Sequence, residues 1–178
     1  MRRPGLVVVV AVLALVGAAC GGSDDGGERN GVVTFVSDIG PAIEAVESEL
    51  GAGQEFFEIT ASPQVTNLFV AVDDATAAVP YVFLDGELQA PAPTLTGASG
   101  FTFVGDAVDF DEDSILDAVT AELPESTIES LSVEGGDGGI VRYVVSTLSP
   151  GGGRLDVTVA PDGSVLAGLA AHGVAVVV

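Results

Sequence analysis

Apolar residues recur along this chain with two periods, and the change from one to the other divides it into elements. From Asp38 to Leu50, the residues Ile39, Ile43, Val46 and Leu50 fall on one side of a helix. The stripe returns in Asp111–Leu123, carried by Leu116, Val119 and Leu123. After each helix the period shortens toward two, as half-buried strands require. The first set of extended runs is Phe56–Thr60, Val65–Val72 and Val79–Leu88, and the second is Ser130–Glu134, Ile140–Thr147 and Asp156–Leu166. The last run of each set contains Asp-Gly, at Asp85-Gly86 and Asp162-Gly163. Such a pair between alternating hydrophobic runs predicts a hairpin turn in which both residues accept positive φ. Gly100–Val104 and Gly173–Val177 read as closing strands.

The second set repeats the first. An offset of 73 lays Ile43 on Leu116, Val46 on Val119 and Leu50 on Leu123, and it also lays Gly100–Val104 on Gly173–Val177. At an offset of 77 the two Asp-Gly pairs coincide. The predicted fold class is α+β: two tandem helix-plus-antiparallel-strand repeats, 32–99 and 100–178, packed as helices on a meander sheet in a single globular unit. Neither half alone is large enough to bury both its helix stripe and its sheet. The element order and the strand–Asp-Gly–strand ending resemble tandem PepSY and β-lactamase-inhibitor-protein modules. That resemblance implies modules that bind or inhibit other proteins without catalysis, and it carries no functional residue onto this chain.

Alternation within the strands marks a candidate site. In the second repeat Leu155, Val157 and Val159 point inward and Asp156, Thr158 and Ala160 outward. The offset of 77 sets Val79, Tyr81 and Phe83 of the first repeat over that outward set. With Phe69 they form a candidate partner or ligand patch, beside Pro80, which suits an edge or bulged strand. The alternative is that the segment Ala90–Gly100, or the other repeat, covers this face as core.

The amino end carries a different kind of signal. Arg2 and Arg3 precede the apolar run Leu6–Ala19, which is shorter than the ~20 residues a spanning helix needs. Small residues then lead to the chain's single cysteine, Cys20, after which the sequence turns to Gly, Ser, Asp and Glu. Charge, apolar segment and small-residue boundary describe a signal peptide over 1–19. Val16-Gly17-Ala18-Ala19-Cys20 resembles the lipobox of bacterial lipoproteins, with Gly17 where that family most often has Leu. The resemblance implies a diacylglycerol on the Cys20 sulfur, an acyl chain such as palmitate on the new amine, and residence at the outer side of the cell membrane. Ordinary cleavage after Ala19 is the alternative. Residues 20–31 are too polar and glycine-rich to pack and read as a flexible tether.

Charge and chemistry narrow the function further. The chain holds 26 acidic and five basic residues, a net charge of −21, and every basic residue is Arg. That balance excludes nucleic acid as a partner. One His, His172, and one Cys supply neither a zinc set nor a Ser–His pair. The acid run Asp109, Asp111, Glu112, Asp113 begins like a calcium loop, making Asp109, Asp111 and Asp113 a candidate cation set. Counted from Asp109, however, the positions that should hold Gly and a bidentate Glu hold Ser114 and Thr120. Helix capping by Asp113 or Ser114, and by Ser37, Asp38 and Pro41 at the first helix, accounts for the same residues. The expectation is therefore a lipid-anchored, non-catalytic binding or accessory protein without a cofactor. It would meet another envelope protein or, alternatively, carry an apolar ligand. A carboxylate-based hydrolase is the third class.

Overall fold

The computed structural model describes residues 34–170 and 174–176. The expected signal peptide, Cys20, the tether and His172 lie outside the described residues. A 3-10 turn, Phe35–Asp38, runs into helix α1, Ile39–Leu50. Strands β1 (Glu55–Ala61), β2 (Thr66–Val72), β3 (Ala77–Leu84) and β4 (Glu87–Leu88) follow. A connecting strap contains the short strands β5 (Leu95–Thr96) and β6 (Phe103–Val104), and a 3-10 turn then precedes helix α2, Glu112–Glu122. The chain ends in β7 (Thr127–Gly135), β8 (Val141–Leu148), β9 (Arg154–Val159), β10 (Val165–Ala170) and β11 (Val174–Val176).

The strands form one large sheet in the order β11-β10-β9-β8-β7-β1-β2-β3-β4, with β5 beside β3 and β6 beside β1. Every pairing is antiparallel. The fold class is thus α+β with a large antiparallel sheet. Two meanders meet at β1 and β7, where Thr60 faces Ser132 and their hydroxyls lie 2.8 Å apart. The β1–β2 ladder bulges between Phe56 and Glu58, and the β7–β8 ladder between Ile128 and Ser130.

Strand alternation gives the sheet one buried face. Phe56, Ile59, Leu68, Val70, Leu131, Val133, Val145, Val157 and Val159 share a continuous hydrophobic cluster with Ile39, Ala42, Ile43 and Val46 of α1 and Ile115, Leu116 and Val119 of α2. Tyr143 belongs to that cluster as well. Its hydroxyl donates to Asp109 O at 3.0 Å and accepts from Asp109 N at 3.1 Å, which pins the approach to α2. The Phe110 ring packs on it with centroids 5.1 Å apart.

Three expectations are corrected. The two Asp-Gly turns differ. Asp85 and Gly86 both have positive φ, 52° and 79°, and join Leu84 to Glu87 as a two-residue turn. The second turn is one residue longer: Ala160 pairs with Ser164 across Pro161-Asp162-Gly163, and of the Asp-Gly pair only Gly163 has positive φ. The closing strands are not counterparts either, because β6 pairs with the start of β1 while β11 pairs with β10. Phe103 is drawn there by the core, its ring 5.9 Å from that of Phe56. Finally, the cap of α2 is Asp111, whose Oδ1 accepts from Ser114 N at 2.8 Å. Helix α1 has no side-chain cap; the Ser37 hydroxyl donates to Thr34 O instead.

Candidate functional site

The structure separates the four residues of the candidate patch. Leu68 pairs with Tyr81, and Phe69 with Pro80. Phe69 therefore lies on the face opposite to Tyr81, since neighbours along a strand point to opposite sides. Tyr81 and Phe83 are buried at 4 % exposure, and Val79 packs against the same core. Burial raises the Tyr81 phenol above its ordinary pKa, with a smaller push from Glu49. These three residues build the interior of the first meander, not an outer surface. Phe69 does face outward.

Phe69 has a neighbour outside the four predicted residues. Phe57, at the β1 bulge, also turns away from the core. Phe57, Phe69, Ala78 and Leu95, with Glu58 beside them, line a cleft of about 330 Å³ on the outer face, closed on one side by the strap residues Thr96–Ser99. Two adjacent phenylalanines in a strand must split between the faces, so Phe56-Phe57 carried the signal. The strap is held along β3 and the residue before it by Ala92 N to Pro80 O at 2.9 Å and Gly97 N to Thr76 O at 3.0 Å. It covers part of the face and buries Ala78, yet leaves Leu95 51 % exposed.

The outer face beyond β1 has a different chemistry. Arg142 pairs with Glu134 at 2.9 Å and Arg154 with Glu129 at 3.0 Å. The Ser146 hydroxyl donates to Asp156 at 2.6 Å. The outer face of the first meander thus carries Phe57, Phe69 and Leu95 beside Glu58, Thr60 and Asn67, whereas over β7–β9 it is ion-paired.

A second cleft, of about 410 Å³, opens between α1 and the segment 105–110. Ile39, Ile43, Val108 and Phe110 contribute apolar walls, and Glu44, Glu47, Asp106 and Asp109 supply carboxylates. The acid run leading into α2 has structural occupations: Asp111 caps the helix, and Asp109 is clamped through its backbone by Tyr143. Asp113 lies in the first turn of α2, where the helix dipole favours a negative charge. Among the described residues no three His, Cys, Asp or Glu side chains gather as a metal set would, and no helix is long and apolar enough to cross a membrane. Compared with known proteins, the chain matches no family model, no curated protein and no solved structure.

Proposed function

We propose that this chain is a lipid-anchored binding or accessory module that works outside the cytoplasm, without catalysis, and presents the outer face of its first meander to another envelope protein. The observation that carries the reading is the Phe57–Phe69 cleft. A cleft with two phenylalanines and a leucine, edged by Glu58, on a sheet face that is otherwise ion-paired and polar is what a partner contact requires. The continuous core favours this over a hollow carrier. An apolar small ligand in the same cleft is the second reading, favoured by the strap over Phe57 and Phe69. The anchor rests on Val16–Cys20 and its likeness to a lipobox.

The architecture belongs to the same proposal: two copies of one helix-plus-strand unit, each helix packed on the sheet. Two features support the duplication. β1 and the first seven residues of β7 alternate between exposed and buried in the same order, and each carries a bulge at the same step. Thr60 faces Ser132 at the junction, where a two-fold relation between copies would place equivalent residues. The shared hydrophobic cluster supports the packing of both helices on the sheet.

One experiment tests the reading. Wild type, Cys20→Ala and the double variant Phe57→Ser/Phe69→Ser are compared by membrane fractionation, acyl mass and cross-linked capture. The anchor requires acyl mass on wild type and loss of membrane association in Cys20→Ala. The site requires that the double variant keep its melting temperature within a few degrees and lose a partner that wild type captures. Membrane retention of Cys20→Ala together with an unacylated wild type would sink the anchor. Undiminished capture by the folded double variant would sink the site.

A further inference from the structure

The cleft between α1 and the segment 105–110 has a character that the outer-face site lacks. Its walls are apolar, from Ile39, Ile43, Val108 and Phe110, while every charged residue lining it is negative: Glu44, Glu47, Asp106 and Asp109. The cations among the described residues, Arg142 and Arg154, are both engaged by glutamates on the strands, so neither answers these carboxylates. Glu47 is held in place, since its Oε1 accepts from Gly53 N at 3.0 Å. The opposite wall is fixed by the Tyr143 clamp on Asp109 and by Phe110 packed on the Tyr143 ring. Glu47 on one wall and the Asp109–Phe110 backbone and ring on the other are therefore held before a ligand arrives. A cleft edged by one sign of charge adds its local field to that of a chain that is already strongly negative.

We infer that this cleft receives a basic amphipathic segment of a partner protein, one that inserts an apolar side chain between α1 and Val108 and sets Arg or Lys against Glu44 and Asp106. The choice of occupant follows from charge complementarity. Anionic headgroups and nucleic acid would meet only like charge, whereas a cationic segment gains from all four carboxylates at once. The inference uses other residues than the Phe57–Phe69 reading and stands or falls separately from it.

The test uses the full chain in neutral phosphatidylcholine nanodiscs, with empty discs as blank. The probe is a fluorescein-labelled 12-residue peptide of paired leucines and arginines, and its partner carries citrulline in place of arginine. Wild type should bind the arginine peptide in a salt-sensitive way and ignore the citrulline peptide. Glu44→Gln/Asp106→Asn should weaken binding by about fivefold or more, the scale of two partly screened charge pairs. Asp73→Asn/Asp74→Asn removes equal charge from the exposed β2–β3 turn and should change binding by less than about twofold, as should Phe57→Ser/Phe69→Ser. Equal losses in the two charge variants would reduce the effect to net charge and overturn the inference. So would equal binding of the citrulline peptide, which would mark an apolar ligand cleft, or no binding at all.

Discussion

Gly163, in the turn between β9 and β10, has φ +85°, and a Cβ built on it would stand 2.4 Å from the carbonyl oxygen of Ser114 at the start of α2. Asp111 N also donates to Pro161 O at 3.1 Å. The turn is therefore seated against the helix, and only glycine leaves room. Gly86 occupies the other Asp-Gly turn with φ +79° and has nothing within 4 Å of its virtual Cβ. The two residues look alike in the sequence and differ in what surrounds them. Gly86→Ala should lose about 1 kcal/mol through the left-handed backbone alone. Gly163→Ala adds a clash with backbone and should lose roughly 3 kcal/mol or more. Urea unfolding of both variants measures the difference, and equal losses would mean that the β9–β10 turn does not press on α2. Positive φ at both glycines was readable from Asp-Gly; the contact that makes one of them irreplaceable was not.

At the level of elements, the helix stripes and the strand runs were legible because burial follows period, and the helices lie within a residue or so of the apolar pattern that predicted them. What failed was register. On the proposed duplication, Leu68 and Val145 are equivalent, and their partners across the ladder are Tyr81 and Val157, an offset of 76. The Asp-Gly pairs stand 77 apart because the second turn holds one extra residue. Carrying 77 back through a strand moves every side chain to the wrong face, which is how Tyr81 and Phe83 came to look exposed. Phe69 escaped because it lies on β2, where the offset between the copies is itself 77, as Leu68 and Val145 show. Caps were only half legible: an acid precedes each helix, Asp38 and Asp111, yet only Asp111 makes the side-chain bond. Asp111→Ala should therefore destabilise by about 1 kcal/mol, whereas Asp111→Asn, which still accepts from Ser114 N, stays near wild type. Asp38→Ala should change stability by less than about 0.5 kcal/mol. Millimolar calcium should move the melting temperature of the wild type no further than nonspecific screening of its charge does. A saturable rise lost in Asp111→Asn would mean that a cation, rather than the helix end, is what Asp111 serves.

Across the whole molecule, a net charge of −21 sets the response to pH and salt. Like charges repel more strongly in the compact state than in the expanded one. Glu112 shows the effect locally: burial first, then Asp113 and Asp38, raises its carboxyl above the ordinary value. A folded-state pKa above the unfolded one means that the native state binds the proton more tightly. Stability tied to this group is then fully present below the unfolded value, near 4.3, and is lost as pH rises through the raised folded value. At neutral pH Glu112 is thus a liability. The melting temperature should climb as pH is lowered from neutrality toward the ordinary carboxylate range, and added salt at pH 7 should raise it by screening the same repulsion. Glu112→Gln should melt higher than wild type at pH 7 and lose that advantage as pH approaches 4. Melting curves of the two proteins at pH 4, 5, 6 and 7, at low and high salt, decide the matter. A wild type that is most stable at pH 7 and indifferent to salt would contradict it, and so would a Glu112→Gln advantage that persists unchanged at pH 4.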